Sequence, residues 1–283
     1  MRRHAVAYLQ IDQPSCLGAT SWGSTANTEL RRFQETIDTR LTGNRPRSWR
    51  RALKIGDTSF LGVGVPMLTS LAAYDQQYLK DTANATLGWW HHTVENTLDK
   101  VDWDALPLHM RVYGAYLWEL CTAPVLPFDF VAVADEILQR LTTLRDSEDR
   151  LNLAPLIDDA TAFKDAAGEF DVAAAGPNGA AAADAINTCI KRLSRLLVPV
   201  TSTAKGTYGQ DSYSLTAQST VLPSLFELPQ LTHPGLDEHR RTMLETQLVR
   251  DRNRIADALA DARVLIDDCL QRIRQFRNVR ARS

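Results

Sequence analysis

The sequence lacks the short motifs by which several enzyme classes are recognised. Its 283 residues contain no GxSxG elbow, no P-loop, no GxGxxG fingerprint and no HExxH pair. Ser59 and Ser70 have no neighbours that would indicate a catalytic triad. The sequence therefore gives no indication of a serine hydrolase, of a nucleotide-binding fold or of a metalloprotease of the HExxH type.

The sequence also lacks an excess of charge of one sign, closely spaced cysteine pairs and long apolar runs. The 32 basic and 34 acidic side chains give a net charge of −2, which gives no reason to propose a nucleic-acid partner. The four cysteines form no CxxC pair, so we expect buried free thiols. No apolar stretch reaches the ~20 residues of a membrane span. With 44% hydrophobic and 23% charged residues, a globular chain is expected.

The first 75 residues show an α/β pattern. The apolar runs 5–11 and 63–71 each predict a buried strand of a parallel sheet. Between them, Asn27 or Thr28 can cap a helix whose apolar residues recur every three to four positions until Gly43. The basic run 45–51 holds four arginines and is interpreted as a solvated loop. Because the chain enters its first strand without a lead-in, we expect that a preceding segment is missing.

Helices dominate the rest of the chain. Asp104 is expected to open a helix with apolar positions at Leu106, Met110, Tyr113, Leu117 and Leu120. Beyond Phe128, helices are predicted over 129–147, 153–172, 180–198 and 237–275, in a four-helix arrangement. A polar segment, 201–219, precedes the last helix and is interpreted as a functional loop. The basic tail is expected to fray.

Three places could carry chemistry. Asp12 follows a predicted parallel strand, where α/β sheets place ligands, although an Asp that starts a turn before Pro14 is an alternative. His91 and His92 lie in a loop rich in aromatics and could bind a metal or serve only the structure, with Glu95, Asp99 or Asp102 as carboxylates that fix a ring. Asp57 could orient a ligand, and an Asx-turn is an equally good interpretation.

Several of these segments together resemble a known family. They are the run from Ala5 to Asp12, Gly56-Asp57-Thr58-Ser59-Phe60, Gly64-Val65-Pro66, and Gly88 to Asp102 with His92-Thr93 before Asn96-Thr97-Leu98-Asp99. The order resembles the C-terminal half of di-zinc exopeptidases, which include glutamate carboxypeptidase II and bacterial aminopeptidases. Val125-Leu126-Pro127-Phe128-Asp129 and the helices beyond resemble the dimerisation domain shared with the transferrin receptor.

The resemblance implies a fold and a set of domains. Residues 1–125 would be the C-terminal part of an α/β/α sandwich of a zinc peptidase. Residues 126–275 would be an all-α helical-bundle dimerisation domain, followed by a frayed basic tail over 276–283. The helices would pair two chains as a homodimer.

The resemblance also implies roles for individual residues. Asp12 would bind one zinc ion and His92 the other, while His91 would lie beside the metal and touch the peptide substrate. Tyr208 lies in a loop that would approach the active site, although a packed aromatic that anchors this loop is an alternative. Asn96 stands where the family usually has an acidic residue. The family's His-x-Asp segment and its Glu-Glu pair, which includes the general base, would precede Asp12.

Three functions remain open at this point. The first is a truncated di-zinc exopeptidase that is inactive by itself, because a catalytic zinc normally takes three protein ligands and this chain offers one to each ion. The second is a non-catalytic, receptor-like dimerisation protein, which would have no need for Asp12 and His92. The third is a helical scaffold, which leaves the aromatic histidine loop unexplained. We favour the first.

Overall fold

A computed structural model of the chain describes residues 3–13, 16–52, 59–147, 150–176, 179–209, 211 and 220–280. The chain divides into two compact units. The unit with the sheet, here called the sheet unit, comprises Ala7–Ala52 and Met67–Ala123. The helical unit comprises Met1–Val6, Leu53–Pro66 and Pro124–Ser283. The domain boundary at residue 125 stays a prediction.

Four short strands form the sheet of the sheet unit. They are β1 (Tyr8–Leu9), β2 (Ser21–Ala26), β3 (Arg47–Arg51) and β4 (Met67–Ala73), in the spatial order β1-β4-β2-β3. β1 runs parallel to β4 and β2 parallel to β3, whereas β2 and β4 are antiparallel. The sheet is therefore mixed, and the parallel pair β1–β4 brings the carboxyl ends of two strands to one edge.

The strand predicted over 5–11 is shorter than expected. Strand geometry is limited to Tyr8–Leu9, and both residues are only half-buried. Among the described strands β1 is paired only with β4, so one of its edges has no ladder to extend it. The strand predicted over 63–71 is likewise shifted to Met67–Ala73, because a 3-10 turn at Leu61–Val63 precedes it.

The interpretation of the arginine run as a solvated loop was wrong. Arg47–Arg51 is the edge strand β3, in register with β2 from Trp22↔Arg47 to Ala26↔Arg51. An edge strand can carry exposed charged side chains because one side of it faces water, and charges there discourage further pairing. The arginines obscured the strand because their side chains are mostly exposed.

Two of the helices in the sheet unit pack on β2 and β4. The unit contains α1 (Thr28–Thr42), the short α2 (Gln76–Asp81) and α3 (Leu106–Thr122). The predicted first helix is confirmed: Asn27 is its N-cap, and Gly43 ends it with φ +63, a left-handed conformation that glycine tolerates. The Asn27 side chain does not cap the helix but accepts a hydrogen bond from the Met67 amide, at 2.9 Å.

A network of buried polar groups joins α1 and α3 to the sheet. Asp38 of α1 is 1% exposed and accepts hydrogen bonds from the hydroxyls of Ser24, Ser70 and Tyr116. Burial raises the pKa of Asp38, and these hydrogen bonds oppose the rise because they stabilise the ionised form. A buried carboxylate is tolerated only when donors surround it, so the network fixes the positions of both helices.

The helix predicted from Asp104 onward exists as α3, but it turns a different face inward. Met110 and Leu117, expected in the core, are exposed, together with Trp118. The buried face is formed instead by a mainly aromatic and polar set: Leu108, His109, Val112, Tyr113 and Tyr116. The apolar period misled because the sheet offers polar partners such as Ser70, which tyrosine hydroxyls reach.

Four long helices make up most of the helical unit. They are α4 (Phe130–Ser147), α5 (Ala154–Ala175), α6 (Ala180–Ser202) and α7 (Glu238–Arg280). They confirm the four helices predicted from the sequence. α7 extends to Arg280, into the segment that we expect to fray. In the described part of the chain no helix has the length and apolar character that a membrane crossing requires.

The cysteines agree with the expectation of buried free thiols in three cases out of four. Cys16, Cys189 and Cys269 are buried and free. Cys121 is free but exposed, near the end of α3, so the expectation was wrong for this residue.

Candidate functional site

Asp12 lies just beyond the carboxyl end of β1. The parallel pairing continues one residue past the strand, where the Gln10 amide donates to the Leu68 carbonyl at 3.1 Å. Asp12 follows with an exposed side chain, and Gln13 then turns the chain with a left-handed φ of 46°. The carboxylate is therefore at the strand end, where an α/β sheet places its ligands, and it is accessible.

The histidine loop is anchored by one aromatic side chain. Trp90 is 6% exposed and packs in a small core with Cys16, Ala19, Ala72 and Tyr74. Gly88, with φ +92, allows this because a Cβ there would lie 2.6 Å from the Trp90 ring. The amide and hydroxyl of Thr93 both donate to the Trp90 carbonyl. Burial of Trp90 therefore fixes a tight turn, which leaves His91 half-buried and His92 exposed.

The two predicted places meet in the structure. The side-chain amide of Gln13 donates to Nδ1 of His91, across 78 residues of sequence. The same side chain accepts from the Cys16 thiol through Oε1, at 3.6 Å. Gln13 thus joins the end of β1 to the histidine loop and brings Asp12 close to His91. No pattern in the sequence indicated Gln13 or Cys16, because their contacts exist only in the folded chain.

The charges at this site act on one another. The pKa of His91 is lowered, first by burial and then by the neighbouring His92, while the Asp12 carboxylate opposes the fall. Both Asp12 and His92 are therefore close enough to influence His91 electrostatically. Burial, with a smaller contribution from Asp12, raises the pKa of the Cys16 thiol to about 11, so this thiol is protonated at neutral pH.

The two histidines differ in the hydrogen bonds that their ring nitrogens can make. In neutral His91, Nδ1 accepts the hydrogen bond from Gln13. Nε2 therefore carries the ring hydrogen and can donate it to a ligand. His92 has a left-handed backbone, with φ 61°, and makes no side-chain hydrogen bond to any described residue. In the neutral ring one nitrogen carries a lone pair that can accept, which is what a metal ligand requires.

The carboxylates that we expected to fix a histidine ring have other roles. Asp99 accepts hydrogen bonds from Thr97 and Lys100, which lower its pKa. Asp102 accepts from the amides of Asp104 and Ala105, which precede α3. Glu95 is exposed, and so is Asn96, the position where the family usually has an acid. In the described residues the Gln13 amide orients His91.

Tyr208 belongs to the helical unit, on a loop that begins after α6. Its side chain is 86% exposed, so it does not anchor the loop by packing. The buried carboxylate of Asp211 does so, because it accepts from the amides of Ala204 and Lys205 at 3.0 and 2.9 Å. Arg254 of α7 also donates to the Ala204 carbonyl, at 3.1 Å. The described part of the loop, 203–209, is therefore anchored at Ala204 and Lys205 and presents Tyr208 to solvent.

Asp57 lies outside the described residues. Within the ranges that the structure describes, no three His, Cys, Asp or Glu side chains are grouped so that they could hold one metal ion. The chain matches no model of a known protein family and no curated protein.

Proposed function

We propose that the chain is part of a di-zinc exopeptidase, which hydrolyses the terminal peptide bond of a peptide. The sheet unit would belong to the α/β/α sandwich of the catalytic domain, and α4–α7 to a dimerisation domain of the transferrin-receptor kind. The observation that carries the proposal is the meeting of Asp12 with His91 and His92 at the carboxyl end of β1. The resemblance of the sequence to the exopeptidases supplies the chemical interpretation.

Asp12 and His92 fit zinc by their chemistry and their accessibility. Both are exposed, and carboxylate oxygen and neutral imidazole nitrogen are ordinary zinc ligands. We propose that Asp12 binds one ion and His92 the other. When bound, two such ions would lower the pKa of a shared water and polarise the scissile carbonyl. The further ligands and the glutamate base are those that the resemblance places before Asp12.

His91 and Tyr208 are proposed to contact the peptide. Nε2–H of His91 is a hydrogen-bond donor beside the proposed zinc ligands, which suits a carbonyl or carboxylate of the substrate. Tyr208 offers an exposed hydroxyl on a braced loop, which is suited to orienting a substrate group. Neither residue is assigned a proton-transfer step. Asp57 stays a candidate for orienting a ligand.

The test of the ligand role is zinc binding by the purified chain. Because each ion would take one ligand from this chain, we expect less than about a tenth of an equivalent of zinc to be retained after dialysis. In a zinc titration followed by NMR of the histidine ring nitrogens, His92 should respond at lower zinc than His239. His239 is an exposed histidine of α7 and serves as the matched control.

Two outcomes would contradict the proposal. If His92 and His239 respond at the same zinc concentration, His92 is an ordinary surface histidine and the ligand role fails. If the chain retains one or two equivalents that His92→Ala removes, the chain supplies a complete site, and a peptidase assay follows. A receptor-like interaction protein, the alternative function, predicts the first of these outcomes.

We also propose that the helices over 129–270 pair two copies of the chain in an isologous dimer. Val172 of α5 and Met243 and Val264 of α7 are exposed apolar side chains that such a partner would cover. Light scattering after size-exclusion chromatography should give twice the monomer mass of 31.6 kDa. A monomer at micromolar concentration would contradict this proposal without affecting the ligand role of His92.

A further inference from the structure

Two buried cysteines of the helical unit lie against each other on neighbouring helices. Cys189 of α6 and Cys269 of α7 are 3% and 4% exposed, and both thiols are free. They are close enough for each thiol to shift the pKa of the other. Nothing in the proposed peptidase function uses this pair, which belongs to the helical unit.

The contacts of the two thiols with the backbone are reciprocal. The thiol of Cys189 donates to the Leu265 carbonyl at 3.8 Å, and the thiol of Cys269 donates to the Ala185 carbonyl at 3.9 Å. Leu265 precedes Cys269 by one helical turn, and Ala185 precedes Cys189 by one turn. Each thiol therefore contacts the other helix one turn before the cysteine of that helix. Both sulfurs consequently lie at the same level of the helix–helix interface.

Small reactants can reach this level from solvent. A cavity of about 20 Å³ borders both cysteines, which is the room that about one water-sized molecule needs. Its remaining walls include Thr188, Arg192, Asp268 and Arg272, and all four of these are exposed at the helix surface. Access is thus limited to small oxidants, which excludes protein disulfides and bulky thiol reagents.

The two thiols are not chemically equivalent. The contact with Cys189 lowers the pKa of Cys269, and the positive charge of Arg272 acts in the same direction against burial. The pKa of Cys189 is raised by the same contact and by burial. Cys269 is therefore the better nucleophile, and Cys189 stays protonated as the second thiol.

We infer that Cys189 and Cys269 form a peroxide-sensitive dithiol, which closes to a disulfide that joins α6 to α7. The oxidant is hydrogen peroxide or another small hydroperoxide. The Cys269 thiolate attacks one peroxide oxygen, the O–O bond breaks, and a sulfenic acid and hydroxide form. Cys189 then attacks the sulfenic sulfur, the S–S bond forms and water leaves. In total two thiols are oxidised, and one peroxide is reduced to two waters.

The direct test is peroxide treatment of the Cys121→Ser protein, which lacks the exposed thiol and so cannot crosslink through it. We expect the intact mass to fall by two hydrogens and peptide mapping to show a link between the Cys189 and Cys269 peptides. The midpoint temperature of unfolding should rise by on the order of 10 °C, because the disulfide closes a long loop. Dithiothreitol should reverse both changes.

The single variants test the order of events. In Cys189→Ser, Cys269 should stop at the sulfenic acid and be trapped by dimedone, whereas in Cys269→Ser, Cys189 should react slowly and give no adduct. Circular dichroism identifies a variant that does not fold, and the mass and mapping experiment needs neither variant. The inference is overturned if peroxide adds oxygen without loss of two hydrogens, if the link involves Cys16, or if both thiols stay reduced.

Discussion

The ring of His91 stacks on the ring of His92, with centroids 3.8 Å apart and planes 30° apart. Two imidazolium rings in this arrangement repel each other, which is one reason that the pKa of His91 is lowered. The left-handed backbone of His92 and the amide of Gln13 hold this pair at the end of β1. The stacking therefore couples the proposed zinc ligand to the residue proposed to contact substrate.

The first prediction concerns the titration of His91 in the zinc-free protein. Burial and His92 lower its pKa, and Asp12 opposes them. Asp12→Asn should therefore lower the pKa of His91 further, whereas His92→Gln should raise it toward the ordinary value of about 6.5. The measurement is a pH titration of the ring resonances by NMR, with His239→Gln as the control. Shifts of the same sign in both variants would contradict this arrangement of charges.

The second prediction concerns acid stability and His109. This histidine is 1% exposed, and its ring lies 4.8 Å from that of Trp22 at a tilt of 50°. Its Nε2 accepts from the Ala72 amide at 3.3 Å. Its Nδ1 has no hydrogen-bond partner among the described residues. Burial, aided by the charge of Arg45, lowers the pKa of His109 to about 4.

The sign of the effect follows from the two pKa values of His109. Between about pH 6.5 and pH 4 the unfolded chain binds a proton that the folded chain does not, so stability is lost as pH falls through this window. At pH 4.5 the loss relative to pH 7 is on the order of 2–3 kcal/mol. In urea unfolding, the free energy of unfolding should fall less between pH 7 and pH 4.5 in His109→Gln than in the wild type, and the difference should be this amount. An equal loss in variant and wild type would show that His109 is accessible to protons in the folded chain.

The third prediction concerns the hydroxyl of Tyr116. It donates to the Asp38 carboxylate and lies 2.7 Å from the hydroxyl of Ser70. Tyr116→Phe should destabilise the protein by about 2 kcal/mol at pH 7, because a buried charge loses a donor. Tyr113→Phe is the control: its hydroxyl bonds the backbone of Ser70, which is neutral, so about 1 kcal/mol is expected.

The pH dependence of the Tyr116→Phe effect identifies its cause. The cost should shrink at low pH, because protonated Asp38 no longer needs the donor. Burial already raises the pKa of Asp38, and loss of a stabilising hydrogen bond raises it further. A cost that does not depend on pH would mean that the hydroxyl acts only through packing. The control Tyr113→Phe should show little pH dependence.

Sequence reasoning predicted correctly those parts of the fold that depend on neighbouring residues in the chain. The helix from Thr28 to Thr42 has a regular apolar period and a glycine stop, and both are readable from neighbouring residues. The strand β3 was missed because its arginines resemble a solvated loop, and only the ladder with β2 defines it. The buried face of α3 was missed because polar atoms of the sheet decide it.

Some residues of the candidate site could likewise be predicted from the sequence, and others could not. Asp12, His91 and His92 could be proposed from residue type and from a strand end or an aromatic loop. The role of Gln13 could not, because its contact with His91 crosses 78 residues and is made by an ordinary amide. Nor did Asp211 stand out, since a carboxylate in a polar segment carries no signal until its burial is known.

The last prediction concerns Asp211 and the loop that presents Tyr208. The carboxylate replaces missing backbone partners for Ala204 and Lys205, at the point where α6 has just ended. Asp211→Ala removes both acceptors from a buried position, and the loop should open locally about tenfold to a hundredfold more often. Chymotrypsin, which cleaves after exposed aromatic residues, should then cut after Tyr208 faster by the same factor.

A matched control separates local opening from general loss of stability. Asp237 also accepts a backbone amide, that of Arg240 at 2.9 Å, but at the exposed start of α7. Asp237→Ala should leave cleavage after Tyr208 unchanged, because the carboxylate there caps a helix and does not brace the loop. Equal acceleration in the two variants would mean that cleavage reports global unfolding. Only a selective effect of Asp211→Ala fits a loop held in place by this carboxylate, and in that case the proposed substrate contact of Tyr208 depends on Asp211.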